Sequence, residues 1–421
     1  MISFPFEIIE HTILAQHIRE WPRATAVSQD DALEIRIKQY RPVDNPNPQP
    51  GDVTVIGAHA NGFPKEVYEP LWADFHTESK KHGFRIRGIW IADVAHQGQS
   101  GLLNKDRLGN DPSWYDHARD LLYMTNVFRA EMPRPIIGIG HSFGSSILTC
   151  LSLIHARLFS ALILLDPVIH RSLPTLAGAV DMTRLSTFRR NTWPTQDAAA
   201  AAFRRSPYYS TWDPRVLDSW IAHGVCKVPG DASGDKVTLL TSRDQEVFSY
   251  FRPLYPYMRA DGTVDRESAP DFDPATNEPP GPYHPFPFYR GEGSAVLAQL
   301  PHVRPSVLWV YGGSAGIWWE TSKVCGSGSG GSGGMKAGKV DEIILEGHGH
   351  LFPMEVPGLC AEHAAAWVAR ELQRHEESER KYQEWASLPM EKKTTLSREF
   401  MNAIGRPVGR KKASKTQSSK L

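Results

Sequence analysis

The chain has 421 residues, with Lys plus Arg and Asp plus Glu equal at 47 each. A zero net charge removes the usual electrostatic ground for binding nucleic acid or a membrane surface. Neither a GxxxxGK(S/T) loop nor an RNA-binding signature occurs, and apolar runs such as ALILLDPVI are too short to span a bilayer.

The opening MISFPFEIIEHTILAQ carries Glu7 and Glu10 inside its apolar part and no basic lead, so it does not read as a secretory signal. VTVIGAHANGF (53–63) predicts a strand that ends in a glycine turn, and FRIRGIWIADV (84–94) a second strand. DPSWYDHARDLLYMTNVF (111–128) predicts a helix behind an Asp cap. RPIIGIG (134–140) is a third strand, followed by the helical FGSSILTCLSLIHARL. SALILLDPV (160–168), PSVLWVYGG (305–313) and KVDEIILEG (339–347) are further strands. Short strands alternating with helices predict an α/β fold, with a mostly parallel central sheet flanked by helices.

Residues 170–300 differ in character. They hold an aromatic-rich helical stretch with RRNTWP and SPYYSTWDPRVLDSWI, a strand and helix at KVTLLTSRDQEVFSYF (236–251), and the Pro-rich APDFDPATNEPPGPYHPFP (269–287). This block predicts a mainly helical cap inserted over the strand ends, where loops of such sheets carry function. The core is then 1–169 and 301–372, and 373–421 is a charged helical extension with a disordered tail. CGSGSGGSGGMKAG (325–338) reads as a flexible surface loop. The four cysteines follow no metal-ligand spacing and read as free thiols, so no metal or cofactor is expected.

Gly140-His141-Ser142-Phe143-Gly144 fits G-x-S-x-G between a predicted strand and a predicted helix. That turn lifts the serine hydroxyl above the sheet, and the helix start beneath it favours negative charge. Ser142 is the expected nucleophile, and it needs a base. EGHGHLFPMEVP supplies His348 and His350 after the last strand, and His350 better fits the position. No carboxylate precedes Glu320 in YGGSAGIWWE, so the expected acid is Asp166 in LILLDPVIH, with Asp244, Glu246 and Glu320 as alternatives. The oxyanion hole is expected from the N–H of Phe143 and that of Asn61 in the HANGF turn. His59, Gly98 and Ser100 read as turn-building residues.

The motifs HANGF, DxxHxGxS, GHSFG, LLDPV and EGHGH, in this order, resemble the α/β-hydrolase superfamily over about residues 50–170 and 300–370. HANGFPKEVYEPLW, the RRNTWP cap, the Gly/Ser loop and the terminal SKL are similar to fungal peroxisomal α/β-hydrolases. That group includes hydrolases of host-selective toxin biosynthesis, and yeast peroxisomal lipase is similar. The resemblance implies a serine hydrolase acting on a hydrophobic acyl ester or thioester, such as a lipid, an acyl-CoA or a secondary-metabolite intermediate. Acyl transfer on the same residues, or a ligand-binding protein without catalysis, are the alternatives. Ser419-Lys420-Leu421, behind basic residues, matches an address read by the peroxisomal import receptor, so the peroxisomal matrix is the expected location.

Overall fold

The computed structural model describes residues 4–170, 177–269, 272, 287–313 and 320–406. It divides into two units, Met1–Leu372 and Gln373–Leu421.

The first unit is built on an eight-stranded sheet. Its strands are β1 (Phe6–Leu14), β2 (Glu34–Pro42), β3 (Val53–Ala58), β4 (Ile86–Ala92), β5 (Ile136–His141), β6 (Ala161–Leu165), β7 (Ser306–Gly312) and β8 (Val340–Leu345). They lie in the order β1-β2-β4-β3-β5-β6-β7-β8. The β1–β2 and β2–β4 pairs are antiparallel, and all pairs from β4 to β8 are parallel. β1 and β2 have no counterpart in the sequence reading. β1 is diluted by Glu7 and Glu10 because it forms an edge and leaves much of itself exposed; β2 lies inside the sheet, where its Arg36 pairs with Glu10 and its Lys38 with Glu66 and Glu69.

Side chains alternate across the pleat, so each strand feeds two cores. Val55, Ile89, Ile137, Ile163 and Val310 face one layer, with α1 (Glu69–Lys81) and residues 360–368 of the C-terminal helix. Ile56, Trp90, Leu162, Leu164 and Trp309 face the other. There they meet α3 (Trp114–Val127) and α4 (Phe143–Ile154), α2 being the short Gly98–Asn104. β3, β5, β6 and β7 are buried throughout, which explains their nearly unbroken Val, Ile and Leu content. Each such side chain contributes about 1.5–3 kcal/mol through burial.

Between β6 and β7 the chain leaves the sheet. It forms α5 (Ala177–Phe188), α6 (Gln196–Arg205), α7 (Pro214–His223) and α8 (Arg243–Tyr250), with one three-stranded and one two-stranded sheet. Trp193, Phe203, Trp212 and Trp220 of this insert pack together and join the α1 layer. The helix Glu292–Gln299 packs on α4 and places Val296 in the other core.

The Gly/Ser loop departs from the expected flexible linker. Its backbone is tied down by Gly326 N–H to Leu300, Gly328 N–H to Pro301 and Ser332 N–H to Val303. The second unit contains the end of helix Pro357–Ala386 and the short helices Met390–Thr394 and Arg398–Ile404. No helix among the described residues is long and apolar enough to cross a membrane. Ser419, Lys420 and Leu421 lie outside the described residues.

Candidate active site

β3 and β5 are neighbours, with Ala58 opposite Gly140, so both strands end at the same level. The HANGF turn follows the first and Ser142 follows the second. Ser142 has φ 54° and ψ −115°, a conformation strained for a residue with a Cβ. The flanking glycines make it possible: a Cβ on Gly140 would stand 2.7 Å from Ser145 N, and one on Gly144 would stand 2.7 Å from the His59 oxygen. The turn is braced from within α4. Ser145 Oγ donates to the Gly140 carbonyl at 2.7 Å, and Ser146 Oγ to the Val168 carbonyl at 2.7 Å.

Asp166 follows β6 and also has a positive φ, 42°, which Asp tolerates better than most residues. Its N–H donates to Val310 at 2.8 Å, and its Oδ1 accepts the Gly312 N–H at 3.0 Å. The carboxylate is therefore held at the gap between β6 and β7 and is 2% exposed. His350 comes from the turn after β8. Its Nδ1 lies 2.5 Å from Asp166 Oδ2, and its Nε2 lies 2.8 Å from Ser142 Oγ. A carboxylate only accepts, so Nδ1 carries the proton and Nε2 is the acceptor for the serine hydroxyl.

The structure thus brings Ser142, His350 and Asp166 together. The other acid and base candidates lie elsewhere. His348 Nδ1 bonds Glu355 Oε2 at 3.0 Å. Glu246 bonds Arg189 and Ser186, Asp244 is exposed at the start of α8, and the Glu320 side chain lies outside the described residues.

Phe143 is the first residue of α4, so its N–H has no acceptor within the helix. In the HANGF turn, Ala60 N–H donates to Tyr68 Oη at 2.8 Å and Gly62 N–H to Gln97 Oε1 at 2.8 Å. Among the described residues no acceptor lies on the Asn61 N–H. The Asn61 side chain is itself fixed: Nδ2 donates to the Glu246 carbonyl at 3.0 Å, and Oδ1 accepts from Gln97 Nε2 at 2.6 Å. His59 closes the turn from behind, with Nδ1 on the Ala60 carbonyl at 2.8 Å and Nε2 accepting the Val94 N–H at 3.1 Å. Burial pulls its pKa down to about 4, so it stays neutral. Gly98 and Ser100 hold the neighbouring turn: Gly98 packs on the Asp93 carboxylate, and Ser100 Oγ donates to the Asp93 carbonyl at 3.0 Å.

A cavity of about 320 Å³ opens above this turn. It meets the site at Asn61 and Phe63 and is walled by Trp193, Phe203, Tyr209 and Trp220 of the insert, while Ser142 and His350 do not line it. The sequence reading did not foresee Tyr68, the Gly312 N–H or Gln97 as parts of the site. Their contacts span long separations and have no local pattern.

The model of the alpha/beta hydrolase family matches residues 55–370. The chain belongs to the alpha/beta hydrolase family. Over 91% of its length, this hydrolase is 38% identical to the type I acyl-CoA thioesterase mpaH of Penicillium roqueforti, covering 92% of that protein. It is 39% identical, with the same coverage, to mpaH' of Penicillium brevicompactum. The abhydrolase domain-containing protein AFT2-1 of Alternaria alternata is 32% identical over 57% of this chain and 85% of its own. In fold, the hydrolase matches the peroxisomal alpha-beta-hydrolase Lpx1 of Saccharomyces cerevisiae with a TM-score of 0.63 at 16% identity, over 93% of this chain and 99% of the other.

Proposed function

We propose that this hydrolase cleaves a hydrophobic acyl thioester, of the acyl-CoA class, through Ser142, His350 and Asp166. The observation that carries the reading is the hydrogen-bonded run from Ser142 Oγ through His350 to Asp166, at 2.8 and 2.5 Å. The similarity to type I acyl-CoA thioesterases over nearly the whole chain supports the substrate class.

His350 Nε2 takes the proton as Ser142 Oγ attacks the acyl carbonyl, and Asp166 stabilises the imidazolium that forms. The N–H groups of Phe143 and Asn61 receive the oxyanion; where measured, one such donor is worth about 10²–10³ in rate. The tetrahedral intermediate collapses, the C–S bond breaks, and His350 returns the proton to the leaving thiolate. Water, deprotonated by His350, then attacks the acyl-serine ester and releases the carboxylic acid and Ser142. The aromatic cavity beside Asn61 takes the acyl group, because an apolar chain gains most from leaving water there. We also propose that the peroxisomal import receptor reads Ser419-Lys420-Leu421.

The test is a fluorophosphonate probe with peptide mapping, followed by thiol release from acyl-CoA. Label on Ser142 that is lost in His350→Ala, together with free CoA thiol, is the expected result. An unlabelled, folded wild type that releases no thiol would sink the reading.

A further inference from the structure

Beyond the Ser142–His350–Asp166 run, one buried hydroxyl joins the HANGF turn to the residue before Ser142. Tyr68 ends the short helical turn Lys65–Tyr68 and is 2% exposed. Its Oη accepts the Ala60 N–H at 2.8 Å and lies 2.9 Å from His141 Nδ1. His141 Nε2 in turn lies 3.1 Å from the carbonyl oxygen of His350.

The acceptors assign the protons on this chain. A carbonyl has no proton to give, so His141 Nε2 carries one. Burial, with the His350 ring beside it, pulls the His141 pKa down to about 3, so the ring is neutral and Nδ1 is bare. Tyr68 must then donate its O–H to Nδ1, leaving a lone pair for the Ala60 N–H. Every group is used, and all the bonds run one way: Ala60 to Tyr68 to His141 to His350. Bonds aligned in this way polarise one another inside a protein.

The ends of the chain matter. Ala60 adjoins Asn61, and His141 adjoins Ser142. His350 arrives from β8, three strands away from β5 in the sheet. We propose that Tyr68 is a positioning residue for acyl transfer: by holding the proton on His141 Nε2, it keeps the His350 backbone and the Asn61 amide in register with Ser142. This rests on the reading of Ser142 and His350 given above. Without the hydroxyl, the Ala60 N–H loses its acceptor and His141 is free to carry its proton on Nδ1. The Nε2 lone pair would then face the His350 carbonyl and push it away.

Tyr68→Phe tests this directly, because the ring keeps its stacking on Trp72, with centroids 6.2 Å apart, and loses only the oxygen. Hydrolysis of p-nitrophenyl butyrate is measured per active site titrated with fluorophosphonate. The expected result is a kcat per site lower by about 10- to 100-fold, since displacements near 1 Å cost that much, with KM within about twofold. His141→Gln, whose amide can still donate to the His350 carbonyl, is expected to retain more kcat than His141→Leu. A structural role alone would lower the titrated fraction and leave kcat per site untouched, and that result overturns the proposal. Nitrogen-15 spectra of histidine-labelled wild type supply a readout independent of turnover: they should show His141 protonated on Nε2 alone. An Nδ1-protonated His141 also overturns it. A wild type without acyl hydrolysis sinks the functional reading itself; an active wild type with an unaffected Tyr68→Phe sinks only this inference.

Discussion

Gly144→Ala is the sharpest test of how the proposed oxyanion site is assembled. Gly144 is the second residue of α4, and its Cα faces the end of β3. An added Cβ would stand 2.7 Å from the His59 oxygen and closer still to the Ala58 oxygen, where ordinary contact begins at 3.4 Å. Both obstacles are backbone atoms, so no side chain can swing aside. The start of α4 and the HANGF turn must part by about 1 Å. Two energies then compete. Overpacking costs about 1–3 kcal/mol, while Ala in place of Gly in a helix returns up to about 1 kcal/mol. The net loss of stability is thus small. The catalytic loss is large, because the Phe143 and Asn61 N–H groups sit on the two segments being separated, and a shift of about 1 Å costs about 10²-fold. The assay is kcat/KM on a short acyl ester, together with the urea midpoint. Gly291→Ala, where nothing lies within 4 Å of the new Cβ, is the control. The expected outcome is a folded Gly144→Ala protein with kcat/KM down about 100-fold and an unaffected control. Wild-type kcat/KM in Gly144→Ala would refute the assembly argued here.

Ser142→Ala is expected to abolish fluorophosphonate labelling, and Asp166→Asn to lower kcat by about 10⁴-fold by misdirecting the His350 proton; residual rates above about a tenth of wild type would contradict both. Stability should depend on pH through His59, whose folded pKa of about 4 lies below the ordinary 6.5. The unfolded chain takes up this proton below 6.5 and the folded chain does not until about 4, so stability is full above 6.5 and falls as pH drops through that window. His59→Gln should remove up to about 1.4 kcal/mol per pH unit of this slope, read from urea melts between about pH 5 and pH 6; an unchanged slope counts against it. Glu246→Ala leaves the Arg189 charge without its partner, but Arg189 is 28% exposed and water can reach it, so the loss is about 1 kcal/mol. The urea midpoint should fall, and an unmoved midpoint would mean the pair is idle.

What could be read from the sequence was what local chemistry dictates. G-x-S-x-G announces itself because only glycines fit on either side of Ser142 in that turn. The parallel strands announce themselves because burial on both faces demands unbroken Val, Ile and Leu. Asp166 was harder: LLDPV reads equally well as a strand stop, and only the Gly312 N–H and His350 give the carboxylate its place. β1 was missed because an edge needs little apolar content, and β2 because its buried Lys38 is paired by Glu66 and Glu69, which lie far along the chain. The Gly/Ser loop misled because composition reports backbone freedom and not the backbone hydrogen bonds that remove it. Tyr68 was out of reach, since its partner His141 lies 73 positions away and only the β3–β5 register joins them.

Side-chain hydrogen bonds tie the insert to the HANGF turn, so the two cannot be treated as separate parts. Asn61 is tied through its side chain to the Glu246 carbonyl on α8, and Gly62 takes φ 82° with the Glu246 carboxylate where its side chain would be. Gln97 then bonds both the Asn61 side chain and Ser249 of the same helix. Glu246 and Tyr250 also line the cavity proposed for the acyl group. The same helix therefore holds the HANGF turn and lines the cavity proposed for the acyl group. A chain too bulky for the cavity would have to displace α8, and the shift would be felt at Asn61. Selectivity should then appear in kcat as well as KM: bulky acyl groups should be turned over slowly even at saturation. A series of acyl esters of increasing girth would read this directly. If KM alone rises across the series while kcat stays level, α8 and the turn move independently, and the coupling argued from Glu246, Gln97 and Asn61 is wrong.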